Sequence, residues 1–304
     1  MVSAASTPAA GRTTTLRFEL DGAPVQGSGL ARKRYSAARL AQRADLLAPR
    51  GVGQILDAAC DVFAARFGAC FGVAFLLWFP TLFVESLLLS LGQDALFFGW
   101  GLIFPVLVQL FTSVFICSLV GGYLQGRFVS AGEAVTNGLH RFPGMIVLGG
   151  FTGVLTVLGM CSCFLPGILL AWLFSLVPAV YVLERTGMGE TLGRAIKLVS
   201  SWPAFLRWAG WGTVGWMMVY PFASFRELMG VVPVRNALQE QLALGGLPFD
   251  LAVAAVGAPF LAIGTGYMAV VETVYYVDQR VRCEGLDLEL RLRAVLDRHR
   301  GSEA

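Results

Sequence analysis

The residues able to do chemistry in this chain are few, and most of them gather beside apolar runs. Behind the last such run comes Asp278-x-Arg280-x-Arg282-x-Glu284-Gly285-x-Asp287. Acids and bases so interleaved suit either of two tasks. They can staple a turn that fixes the carboxyl end beneath a helix bundle, or they can offer a docking surface to a partner or a lipid headgroup. Glu184, Arg185, Arg194 and Glu272 have the same character. Glu184 and Glu272 lie near the ends of apolar runs, so both are expected to tie those runs to Arg185, Arg194, Arg280 and Arg282. The alternative is a proton or substrate path, because an ionisable group beside lipid needs a partner or water. Glu85 stands near the opposite end of its own run.

Other chemistry has less support. The cysteines at 60, 70, 117, 161, 163 and 283 form no CxxC pair, and Cys161-Ser-Cys163 reads as small residues at a helix end. His140 falls on the polar side of a helical segment and His299 near the carboxyl end. HExxH, a Walker A loop and GxSxG are all missing from the sequence. No catalytic, cofactor-binding or metal-binding residues are therefore expected, and no nucleic-acid partner.

The elements that must position the charges are membrane spans. Hydrophobic residues make up 56% and charged residues 14% of the 304, and the mean hydropathy is +0.67. A soluble surface needs about 25% charged residues. The composition therefore predicts an all-α, polytopic membrane helix bundle. A spanning helix takes about 20 mainly apolar residues. Six stretches qualify: 69–91, 97–124, 144–162, 164–183, 204–225 and 251–277. A tight turn at Cys161-Ser-Cys163 is expected to join the third and fourth. Residues 1–50 lack the apolar segment of a signal peptide and read as a disordered, basic cytoplasmic tail. The membrane domain is placed at 51–283.

Lysine and arginine set the orientation. The tail through Arg66 holds nine, the 2–3 connection two, the 4–5 connection four and the segment from Arg280 six, leaving only Arg226 and Arg235 for the other side. The positive-inside rule then places both termini in the cytoplasm.

A threefold pattern precedes spans 1, 3 and 5. Gly51, Ser130 and Gly187 are each followed three residues later by Gln54, Glu133 or Glu190, the spacing of a capping box. Apolar or small residues then recur at matching offsets: Val52, Leu56, Ala59, Cys60 and Phe63; Ala131, Val135, Gly138, Leu139 and Phe142; Met188, Leu192, Ala195, Ile196 and Val199. Steps of four, three, one and three keep each set on one helical face. Three repeats of amphipathic helix plus two spans follow, over 51–128, 129–185 and 186–283. Each amphipathic helix has two possible places, in the membrane interface or under the bundle as a collar.

Residues 284–304 are expected to form a cytoplasmic amphipathic helix. Asp287–Arg291 and Glu289–Arg293 are acid-first i,i+4 pairs, and Leu288, Leu292, Val295 and Leu296 form its stripe. The run Asp278 to Asp287 after a last span, Leu165-Pro166-Gly167-Ile168 opening span 4 and Pro178 to Arg185 closing it resemble a group of bacterial six-span proteins. That group is similar to the membrane domain of some glycerophosphoryl diester phosphodiesterases. The resemblance covers about residues 51–290 and implies the six-span fold in a bacterial inner membrane. The phosphodiesterase activity is not carried over, because residues 1–304 leave no room for its soluble barrel. A scaffold or accessory subunit of a membrane complex is the expected function, with membrane lipids and a membrane protein as partners. A transporter or lipid-handling protein is the alternative, and a membrane-surface enzyme would have only the Asp278–Asp287 run to work with.

Overall fold

The computed structural model describes residues 49–91, 94–124, 129–230, 237, 239–241 and 246–285. The tail through residue 48, the helix expected beyond Gly285, Asp287, Arg127, Arg235 and His299 lie outside the described residues. All regular structure among the described residues is helical. The helices are α1 (Val52–Ala65), α2 (Phe67–Ser90), α3 (Asp94–Leu124), α4 (Ala131–Ser162), α5 (Phe164–Phe174), α6 (Val177–Leu183), α7 (Met188–Val199), α8 (Trp202–Gly230) and α9 (Leu247–Glu284).

Among the described residues, five stretches are long and apolar enough to cross a membrane: Phe67–Leu88, Ile103–Leu124, Ala131–Ser162, Phe164–Leu183 and Leu247–Glu284. They make this a multi-pass membrane protein. The expected span 204–225 is helical within α8 but is not among the five. Its middle is built from Trp, Gly, Thr and Tyr more than from aliphatic residues, which dilutes its hydropathy.

Two boundaries differ from expectation for local reasons. The span at 164–183 is broken between α5 and α6 at Ser175-Leu176. Pro178, in the first turn of α6, has no N–H to give the Phe174 carbonyl four residues earlier, and its ring crowds that carbonyl. The second amphipathic segment is not separate: residues 131–142 and the third span form one continuous helix, α4, with Pro143 inside it. Helical geometry runs on through Pro143 there, whereas α1 ends at Arg66 (φ −123°, ψ 20°) and α7 at Ser200 (φ −64°, ψ 0°), just before the Trp202-Pro203 start of α8. Cys163 alone links α4 to α5. Its extended backbone (φ −168°, ψ 137°) ends one helix and starts the next.

The three predicted helix starts share one backbone geometry. Gly51 (φ −73°, ψ 170°), Ser130 (φ −72°, ψ 157°) and Gly187 (φ −70°, ψ 163°) are all extended N-caps. Gln54 accepts the Gly51 N–H at 3.0 Å, and Ser130 Oγ accepts the Glu133 N–H at 3.2 Å, satisfying donors that a helix start leaves open. Only part of each apolar face is buried. Positions four and eight after the cap are buried in all three: Ile55 and Ala59, Ala134 and Gly138, Thr191 and Ala195. Position nine, on the same apolar face, is exposed in all three as Cys60, Leu139 and Ile196. The apolar arc is wider than the face its neighbours cover, and its far edge faces outward.

Helix α9 is the central post, packed against α1, α2, α3, α6, α7 and α8. Its 38 residues span about 57 Å at 1.5 Å per residue, far more than a hydrocarbon core of about 30 Å. The surplus lies at its carboxyl end, where Val270, Val271 and every residue from Thr273 to Gln279 is buried.

Candidate functional site

The last two turns of α9 carry the charged run, and they are helical where a turn was expected; the chain leaves the helix only at Gly285 (φ 63°, ψ 38°). Helical geometry sorts the charges. Residues two apart lie about 200° apart around a helix, whereas residues four apart share a face. Asp278 therefore joins Arg282 on one side, and Arg280 joins Glu284 on the other, at 2.9 and 3.0 Å.

On the first side the main chain before α1 is gripped. Arg50 N–H donates to Asp278 Oδ1 at 2.7 Å, and Arg282 donates to the Arg50 carbonyl at 2.6 Å. Arg207 of α8 approaches Asp278 Oδ2 at 3.7 Å and donates to Gln279 Oε1 at 3.3 Å. Asp278 is buried, so its charge relies on these partners.

On the second side four charges close a ring. Glu184, at the end of α6, accepts from Arg194 of α7 at 2.6 Å and from the Tyr276 hydroxyl at 2.7 Å, and it faces Arg280 at 3.7 Å. Arg194 reaches on to Glu284 at 2.8 Å, and Arg280 completes the circuit through Glu284. Two carboxylates and two guanidiniums balance within the ring. Burial alone would lower the Arg194 pKa, but hydrogen bonds and charge from Glu184 and Glu284 outweigh it and raise it above the usual guanidinium range.

Two of the expected members stand apart. Glu272 is half-buried, six residues before Asp278, hence about 240° around the helix and about 9 Å along it. It forms no ion pair among the described residues. Arg185 is exposed, in the left-handed region (φ 54°), and also unpaired among the described residues. The positive φ turns the chain away from α6 straight after Glu184.

Several participants were not anticipated from sequence. Arg50 takes part through its main chain, for which a sequence carries no signal. Arg207 had one, as a base within a predicted span. Tyr276 had another, four residues before Arg280 on the same helical face. At the opposite end of α9 the unanticipated residue is Asp250, buried like Glu85; Ser86 Oγ donates to the Asp250 carbonyl at 3.2 Å.

The charged end thus joins Arg50, the α6–α7 corner, the start of α8 and the end of α9. Its chemistry is ion pairing and hydrogen bonding. Family models, curated proteins and solved structures were compared with the chain, and none matches it.

Proposed function

We propose that this chain is a non-catalytic scaffold or accessory subunit of a membrane complex. The observation that carries this reading is the commitment of the buried acids Glu184 and Asp278 to arginines from other elements of the same chain. Charges used in this way lock the bundle's basic end into one arrangement, which suits a platform. The exposed edge at Leu139, Met188 and Ile196 supplies apolar surface around it.

In this reading α8 is the sixth span, and the three extended caps at Gly51, Ser130 and Gly187 begin three repeats of amphipathic helix plus two spans. Both termini and the arginine-rich end face the cytoplasm of a bacterial inner membrane, as the arginine distribution favours. The likeness to the membrane domain of glycerophosphoryl diester phosphodiesterases belongs to the same proposal and extends to architecture only.

Native mass spectrometry of the protein, extracted gently from its own membrane, tests the reading. A stoichiometric protein companion is expected. A defined small metabolite held without any protein companion would overturn it in favour of a transporter or lipid-handling protein, whereas a retained bulk phospholipid alone would not. That second reading rests on Glu272, a carboxyl in a spanning helix with no ion pair among the described residues.

A further inference from the structure

The seam between α8 and α9 holds more donors than acceptors. Arg207 and Arg282 both converge on Oδ2 of Asp278, at 3.7 and 2.9 Å, so two guanidinium charges share one carboxylate. The other Asp278 oxygen is occupied by the Arg50 N–H. Three buried donors in the same seam lack a hydrogen-bond partner among the described residues: Arg207 Nε, Gln279 Nε2 and Trp211 Nε1. Gln279 and Trp211 are 0% and 3% exposed, so water outside the fold does not compensate them. The three occupy two successive rungs. Arg207 contacts Gln279, and one turn along the seam the Trp211 ring lies 5.6 Å from the Tyr275 ring.

Beside this surplus the first turns of α8 expose apolar surface. Trp202 and Leu206, four residues apart and so on one face, are 66% and 52% exposed. Arg207 and Arg282 keep 16% and 30% of their side chains accessible, so an anion can reach both without unfolding the seam. Paired guanidiniums suit phosphate oxygens, and an apolar rim next to them suits acyl chains.

We propose that Arg207 and Arg282 bind the phosphate of an anionic phospholipid, whose acyl chains lie against Trp202 and Leu206. The phosphate adds acceptor oxygens for the accessible parts of the two guanidiniums that share Asp278 and draws the α8–α9 seam together. A free phosphate would satisfy the charge and leave the apolar rim uncovered.

The test uses the full chain in nanodiscs containing equal amounts of phosphatidylglycerol and phosphatidylcholine, followed by release into native mass spectrometry. Wild type is expected to retain phosphatidylglycerol in preference. Arg207→Gln and Arg282→Gln should each weaken that retention by about five-fold, from about 1 kcal/mol per basic residue at a membrane surface. Arg185→Gln, which removes an exposed arginine outside the seam, should leave retention unchanged. If Arg207→Gln fails to fold, Arg207→Lys is read instead, with a smaller loss because the charge remains. Equal retention of the two lipids by wild type overturns the proposal, as does a loss in Arg185→Gln matching that in Arg207→Gln. Inorganic phosphate added to phosphatidylcholine nanodiscs should leave the melting temperature unchanged, and a rise equal to that given by phosphatidylglycerol overturns the lipid assignment.

Discussion

Glu184 shows what one residue does in this molecule. Its side chain is 2% exposed, yet it carries a charge because Arg194, Arg280 and the Tyr276 hydroxyl converge on it from two helices. Removing that charge leaves two guanidiniums short of a partner in partly buried positions. Glu184→Gln is expected to cost about 2–3 kcal/mol, below the usual cost of breaking a buried pair because Arg194 is a quarter exposed. A fall in melting temperature in detergent checks this, and an unchanged value would mean that the ring carries no stability. The pH response follows from Arg194. Its raised pKa gives a stabilisation complete below the ordinary guanidinium range and lost only as pH climbs beyond it. The ring should therefore withstand any moderately alkaline buffer.

Among the elements, the α4–α5 hairpin depends most closely on the smallest residue. A Cβ at Gly167 would meet the Met160 backbone nitrogen at 2.7 Å, and one at Gly159 would meet the Gly167 nitrogen at 3.0 Å. Backbone cannot step aside, so these two glycines set how closely the helices cross. Gly215 differs: there the Cβ would meet the end of the Met268 side chain, which is flexible. Gly167→Ala should then destabilise by about 1–3 kcal/mol, while Gly215→Ala stays within about 1 kcal/mol of wild type, as thermal unfolding of the pair will measure. Helix α2 shows a different device. Phe67, Phe71, Phe75, Phe79 and Phe83 repeat every four residues, and successive ring centroids lie 5.2 to 6.3 Å apart. With Phe67, Phe79 and Phe83 exposed, this ladder turns an aromatic edge outward, where lipid is the natural solvent.

At the scale of the whole molecule the question is which end faces which compartment. Cys161 and Cys163 are exposed at the α4–α5 turn, and Cys60 and Cys283 are exposed on α1 and the end of α9. The arginine bias predicts that the first pair faces away from the cytoplasm and the second pair toward it. In single-cysteine variants, a membrane-impermeant maleimide should label the first pair in intact spheroplasts and the second pair in inverted vesicles. The opposite pattern would reverse the assigned orientation.

Much of this architecture was legible before any coordinates. The helical class follows from a composition too poor in charge for a water-facing surface, since a chain in lipid must satisfy its backbone within helices. The starts at Gly51, Ser130 and Gly187 were legible because capping is a local event, settled within four residues. The i,i+4 pairings of Asp278 with Arg282 and of Arg280 with Glu284 were not, because the run reads as a turn in sequence and its helical continuation came only with the structure. Tertiary structure alone decided which side of each amphipathic helix is covered, because the apolar arc is wider than one neighbour and only the neighbour's position selects its buried half. It also decided that Glu184 joins the ring and Glu272 does not. Both look alike in sequence, but a helix places each side chain at a fixed angle and height, and only Glu184 meets arginines there. The grip on Arg50 belongs to the same class: it joins residues 228 apart through main-chain atoms, for which no side-chain pattern exists to be read.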